Sequence, residues 1–233
     1  MVVSKPPGAG VSARIEAAAS ETGKPVVTAL LGPGSTLEAA AERTAALLGA
    51  ALPAAPTPSL HATPGAVRGL FSGGTLCAEA MIVATEALGS IHSNVPLQPE
   101  WALVDFHASR GHTFVDFGDE ELTDRRAHPI VDPSLRLERL DREAADPEVG
   151  VVLLDIVLGR GAHPNPAEVF APAVEAALSR RPAGLTVVAS LCGAAADPQG
   201  LDVQAARLEE AGALVVRGTA RATRVALGAA GAR

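Results

Sequence analysis

Tyrosine is absent from these 233 residues, tryptophan occurs once and aromatics reach only 3%. The interior must therefore be filled by Ala, Val and Leu. Cysteine is nearly absent too. Two residues, Cys77 and Cys192, make no disulfide framework, and a reducing cytoplasm is the expected setting. Positive charge is in deficit, with a net charge of -7 and no stripe of Lys and Arg. Duplex nucleic acid needs a basic face to neutralise phosphates, so that partner is excluded and any bound anion is small and held locally. Apolar runs of membrane-spanning length are missing; the best, VGVVLLDIVLG, is broken by Asp155. The opening MVVSKPPGAG does not follow the signal-peptide pattern of a basic region and then an apolar one. What is present is 48% hydrophobic and 19% charged residues, enough apolar chain for a packed core.

Short β-branched runs alternate with helical patterns. Strands are expected at Pro25–Leu31, Val67–Phe71, Thr113–Phe117, Val149–Val157, Leu185–Leu191 and Ala213–Val216. Helices are expected at Ser35–Leu48, Thr75–Leu88, Ser134–Ala144, Pro166–Ser179, Leu201–Glu210 and Thr219–Leu227. Alternation with continuous apolar strands predicts an α/β fold, a parallel sheet with helices on both faces. Ser35 with Glu38 reads as a capping box, Asn165 as an N-cap before Pro166, and Asp132 and Asp197 as further helix starts. Residues 53–66, rich in Ala and Pro without periodicity, read as a linker. The chain before it is too short for a domain. Residues 1–52 are therefore expected to be the remnant of a preceding α/β unit, the rest of which lies on another chain or is missing from a fragment. Residues 67–233 form the main domain.

In such sheets, ligands bind beyond the carboxyl ends of the strands, where helix N-termini offer free N–H groups and positive partial charge. GLFSGGTLCAEAM (Gly69–Met81) fits that place: Gly73 and Gly74 let a ligand approach the backbone, and Ser72 and Thr75 supply hydroxyls. The same turn serves equally as a tight connection whose glycines only allow close packing. LLDIVLGRGAHPNPAEV repeats the design with Gly159, Gly161 and Ala162 ahead of a helix, and places His163 beside it. That histidine suits acid–base chemistry, nucleophilic attack or phosphate binding, or else a loop position bonded to a carbonyl. VDFGDEELTDRRAHPIVDP holds Asp116, Asp119, Glu120 and Glu121, able to hold Mg²⁺ through water, although a solvated loop is the favoured reading. Its Arg125 and Arg126 could clamp an anion. Cys77 and Cys192 are read as small buried hydrophobes, and no histidine has metal-ligand spacing, so no metal site is assigned.

LFSGGTLCAEAM resembles the phosphate loop of the succinyl-CoA synthetase α-subunit. The series SGGTLCAEA, SNVPL, VDFGDEELT, RAHPIVDP, LLDIVLGRGAHPNPA, VVASLCG and DPQ is more similar still to FdrA proteins, relatives of acyl-CoA synthetases, over nearly the whole chain from VSKPP onward. FdrA proteins are longer, and this chain corresponds to their C-terminal part. The resemblance implies a flavodoxin-like CoA-ligase domain of the succinyl-CoA synthetase type. It implies a phosphoryl or acyl/carbamoyl phosphate group held at two Gly-rich helix N-termini, by Ser72, Gly73, Gly74 and Thr75 and by Gly159, Gly161 and Ala162. His163 or Asp155 would supply acid–base help. Phosphate or carbamoyl phosphate, CoA and Mg²⁺ are the small molecules it suggests, with a second subunit or a second copy as protein partner. Where the synthetases carry a phosphorylated histidine, this chain reads LCGAAADPQG, with none. FdrA-type proteins are linked to an oxamate carbamoyltransferase of allantoin breakdown, whose chemistry needs no phosphohistidine. A non-catalytic scaffold is the remaining expectation.

Overall fold

The protein is described by a computed structural model covering residues 1–52 and 58–232. Val149–Val157 (β5) sits at the centre of a five-stranded parallel sheet, buried along nearly its whole length. Ala66–Phe71 (β3) and Thr113–Asp116 (β4) lie on one side of it; Thr186–Cys192 (β6) and Leu214–Arg217 (β7) lie on the other. The spatial order β4-β3-β5-β6-β7 is the flavodoxin order 2-1-3-4-5 when counted within this sheet, and its switch point falls between β3 and β5. The register pairs Leu70 with Leu154 across that point.

Strict side-chain alternation along β5 divides the core in two. Val152, Leu154 and Ile156 pack under Ser134–Ala145 (α5), Pro166–Arg180 (α6) and Leu201–Glu210 (α7). Val151 and Leu153 pack under Gly74–Leu88 (α3) and Thr219–Ala229 (α8). Helices thus cover both faces, and β5 and α7 fall where the sequence places them. The scarcity of aromatics shows in the packing, since alanines such as Ala80, Ala84, Ala222 and Ala226 bring α3 and α8 close together.

A smaller two-stranded parallel sheet precedes this one: Val2–Ser4 (β1) pairs with Thr28–Leu30 (β2), with Ala9–Glu21 (α1) and Leu37–Leu47 (α2) alongside. The strand expected over Pro25–Leu31 is therefore shorter, although Val27, Ala29 and Leu31 are buried as its pattern requires. This part docks on the main sheet through α2. Glu38 pairs with Arg221 and Arg224 of α8, and the Leu37 N–H donates to Glu79 Oε1 of α3 at 2.6 Å. Of the expected linker, residues 53–57 lie outside the described residues. Its far end is anchored, with the Thr63 N–H donating to the Ala229 carbonyl and its hydroxyl to Thr186.

Four local expectations are corrected. Thr36, one residue after Ser35, caps α2 by accepting from the Ala39 N–H, and Glu38 turns to α8 instead of closing a capping box. Asn165 makes no cap bond; Gln204 of α7 accepts from the Ala167 N–H in its place. Asp197 accepts from the Ala194 N–H in a turn before α7, which starts at Leu201. Cys192 is exposed rather than buried, because it is the last residue of β6 and faces a cavity.

Candidate functional site

The polar centre of the molecule lies at the switch point. Ser72 follows β3 directly, and its N–H and hydroxyl both donate to Asp155 of β5, at 2.8 and 2.7 Å. Arg136, reaching in from α5, binds Asp155 Oδ1 at 2.6 Å and also donates to the main-chain carbonyls of Leu70 and Asp155. All three side chains are buried. The guanidinium lies 5.0 Å from the centre of the Phe170 ring, and its Nε has no hydrogen-bond partner. Two carbonyls and a carboxylate thus hold the arginine, and the carboxylate holds the turn. Burial draws Arg136 below its ordinary value against the pull of Asp155.

With Ser72 fixed, α3 begins at Gly74. The Cys77 N–H closes the first helical bond on the Gly73 carbonyl. Among the described residues, the N–H groups of Gly73, Gly74, Thr75 and Leu76 have no acceptor. This is the row of free donors that a helix start presents. A β-carbon on Gly73 would meet nothing within 4 Å, so that side of the turn is open. A β-carbon on Gly74 would overlap Lys5 Nζ and Asp116 Oδ2. Lys5, at the end of β1, thus brings a cation over the turn. Asp116 is locked in place by Asn94, whose amide bonds both its N–H and its carbonyl at 2.9 Å. Burial pushes the Asp116 carboxyl above its ordinary value; the Gly118 N–H and Lys5 pull the other way.

The second glycine turn is built differently. The Gly159 N–H donates to Gln199, the Ala162 N–H to the Gly159 carbonyl and the His163 N–H to the Ile130 carbonyl. Its glycines are needed for shape, since Gly159 and Gly161 have φ of 133° and 87°. His163 is half-buried, and its Nδ1 accepts from the Asn165 N–H. In the neutral ring the proton therefore sits on Nε2. His163, Ser72 and Arg136 line one cavity of about 10 Å³, the size of one water.

The structure thus brings Ser72, Asp155 and His163 together. Gly73 lies on the open side of the turn, Gly74 lies under Lys5 and Asp116, and Thr75 follows in the first turn of α3. Arg125 and Arg126 follow the short helix Glu120–Thr123 (α4): Arg125 is exposed, with φ of 60°, and pairs with exposed Asp124, and Arg126 is exposed on the same loop. Sequence reading missed Arg136, Lys5, Asn94 and Glu79. The signal for Arg136 was available. It shares a helix stripe with Leu140 and Ala144, both fully buried, and a lone Asp inside an apolar strand needs a buried cation. Cys77 is a buried small residue as expected, and its burial pushes the thiol well above its ordinary value. Among the described residues, no group of three or more His, Cys, Asp or Glu side chains is placed to hold a metal ion. No described helix is long and apolar enough to cross a membrane.

A parallel sheet in flavodoxin order, with its polar centre at the strand switch, defines a doubly wound α/β domain. The family model described as CoA-ligase matches residues 70–228, and the chain belongs to that family. It is also similar to the uncharacterized protein YahF of Escherichia coli (strain K12), with 41% identity over 155 residues that cover 64% of this chain. The match spans 30% of that relative's length. The family description implies coenzyme A. Arg217, Arg221 and Arg224, on the same edge of the sheet, are each paired with a carboxylate. No step below passes through that cofactor.

Proposed function

We propose that this chain is the phosphoryl-binding part of an FdrA-type, acyl-CoA-synthetase-like protein, and that it holds the phosphate of an acyl or carbamoyl phosphate on the Ser72–Thr75 turn. One observation carries the reading. Asp155 and Arg136 pin Ser72 from beneath, while the N–H groups from Gly73 to Leu76 stay free beside the Lys5 ammonium. The negative oxygens would lie on those amides, with Lys5 as counter-charge. As the acyl or carbamoyl carbon is attacked and its bond to the phosphate oxygen breaks, the same donors stabilise the charge that builds on the leaving phosphate. His163, which lines a small cavity with Ser72, would move the proton. Asp155, with both oxygens engaged and no exposure, acts as a positioning residue for Ser72. The second glycine turn shapes the His163 loop. A second subunit or a second copy of the chain would close over the open side at Gly73.

A component of a carbamoyltransferase, such as an oxamate carbamoyltransferase, is favoured over a ligase. The segment Gly193–Gly200 beyond β6 contains no histidine to carry a phosphoryl group. Thermal unfolding with phosphate and with carbamoyl phosphate tests the proposal. At a hundredfold excess over its dissociation constant, a ligand stabilises by about 2.7 kcal/mol. A rise in Tm with both anions is expected. No rise with either would leave a scaffold of the same fold and end the phosphoryl reading.

A further inference from the structure

A second cavity, of about 550 Å³, opens where α2 meets α3 and the carboxyl ends of β6 and β7. That volume lies within the range of small-molecule sites. Leu37, Leu52, Leu76 and Val215 give it apolar walls. Its floor carries Glu79, only 2% exposed. Glu79 accepts from the Leu37 N–H, and the Ala220 main chain lies close by. Among the described residues, no Lys, Arg or His reaches it within ion-pair distance; the nearby Arg221 and Arg224 are bound to Glu38. Buried carboxylates are ordinarily paired with a cation; this one, facing a cavity, has main-chain partners but no cation within ion-pair distance. At the mouth stands Arg217, half exposed, bonded only to Asp202, which is 89% exposed. An exchange of that solvent-screened pair for a ligand carboxylate costs little. The remaining acidic groups, Glu38 and Glu209, line the opening near α2 and α7.

We propose that this cavity binds a small carboxylic acid with an N–H donor group, amine or amide, at its other end. The N–H group meets Glu79 on the floor, the apolar body lies along the leucines, and the carboxylate meets Arg217 at the mouth. Leu76 and Glu79 belong to α3, so the site adjoins the turn assigned to the phosphoryl group, and Leu76 belongs to both. Burial pushes the Glu79 carboxyl above its ordinary value, with the Leu37 N–H and the Ala220 main chain pulling the other way.

Cys192 lines the same cavity and is exposed, whereas Cys77 is fully buried. A thiol reagent such as Ellman's reagent therefore reports on this cavity, in the whole folded chain and with no phosphate present. The probes are the ω-amino acids from glycine to 6-aminohexanoate, and succinamate for the amide. Butanoate, hexanoate and succinate are the matched acids lacking the N–H group. At about ten times its dissociation constant, a bound amino or amide acid should slow the Cys192 reaction about tenfold, and the matched acids should protect less. Glu79→Gln should erase the difference between the two sets. Arg217→Ala, at a half-exposed side chain, should weaken protection by every acid and leave the fold intact. Equal protection by the matched acids, or none by any acid, overturns the proposal, and neither result bears on the phosphate turn.

Discussion

At Gly74 a side chain would overlap the Lys5 ammonium and the Asp116 carboxylate, whereas at Gly73, whose φ of -166° is ordinary extended backbone, it would meet nothing. The two adjacent glycines therefore have different reasons to be glycine. Gly74→Ala must move Lys5 or Asp116, and overpacking of this kind costs about 1–3 kcal/mol. Gly73→Ala should stay within about 0.5 kcal/mol of the wild type. Urea unfolding of both variants checks the contrast, and a phosphate thermal shift on each tests the site. Loss of the shift in Gly74→Ala is expected, because Lys5 is displaced; phosphate binding that survived it would free Lys5 of any role. This logic could be read only in part from the sequence. SGGT announced a close approach of backbone to something, but the something arrives from Lys5, some seventy residues earlier in the chain.

Elements were more legible than their ends. The continuous apolar run of β5 and the period of α7 are set by burial on one sheet, and burial is written in the residue types. Caps depend on which acceptor happens to reach a free N–H, and here a neighbouring helix supplies it. Gln204 of α7, 2% exposed, accepts from the Ala167 N–H of α6 and donates to Asn165 and to the Gln199 carbonyl. Gln204→Ala leaves a buried donor unpaired and should cost about 1–3 kcal/mol in urea unfolding. Asn165→Ala, at the residue that looked like the cap, should cost less. Glu79 makes the same kind of joint between α3 and α2. Its carboxyl is raised from an ordinary value near 4.5 by burial, with the Leu37 N–H opposing. A raised carboxyl favours the folded state fully below that ordinary value, and this contribution is lost as pH climbs through the raised value. The melting temperature of Glu79→Gln relative to wild type should therefore rise between pH 4.5 and neutrality. A difference that stayed flat would mean that Glu79 titrates normally.

Seen across the whole molecule, β3 carries a buried arginine network at each end, and only one of them meets a glycine turn. At the carboxyl end, Arg136 binds Asp155 beneath Ser72. At the amino end, Arg68 of β3 binds Glu143 of α5 at 2.7 Å, Arg139 binds the same carboxylate, and Ser109 and the Gly111 carbonyl complete the set. In doubly wound sheets chemistry gathers at the carboxyl edge, so the amino-end network is expected to hold the fold and nothing more. Removing one partner of a buried ion pair leaves a charge stranded and costs about 3–5 kcal/mol. Arg136→Met strands Asp155 and should lose that much in urea; Arg68→Met should lose less, because Arg139 still pairs with Glu143. Their phosphate responses should diverge: measured where both variants remain folded, Arg68→Met keeps the thermal shift and Arg136→Met loses it, because only the second releases Asp155 and with it the Ser72 turn. If both variants kept the shift, the turn would hold its shape without the ion pair, and the free amides of α3 would owe nothing to the polar centre beneath them.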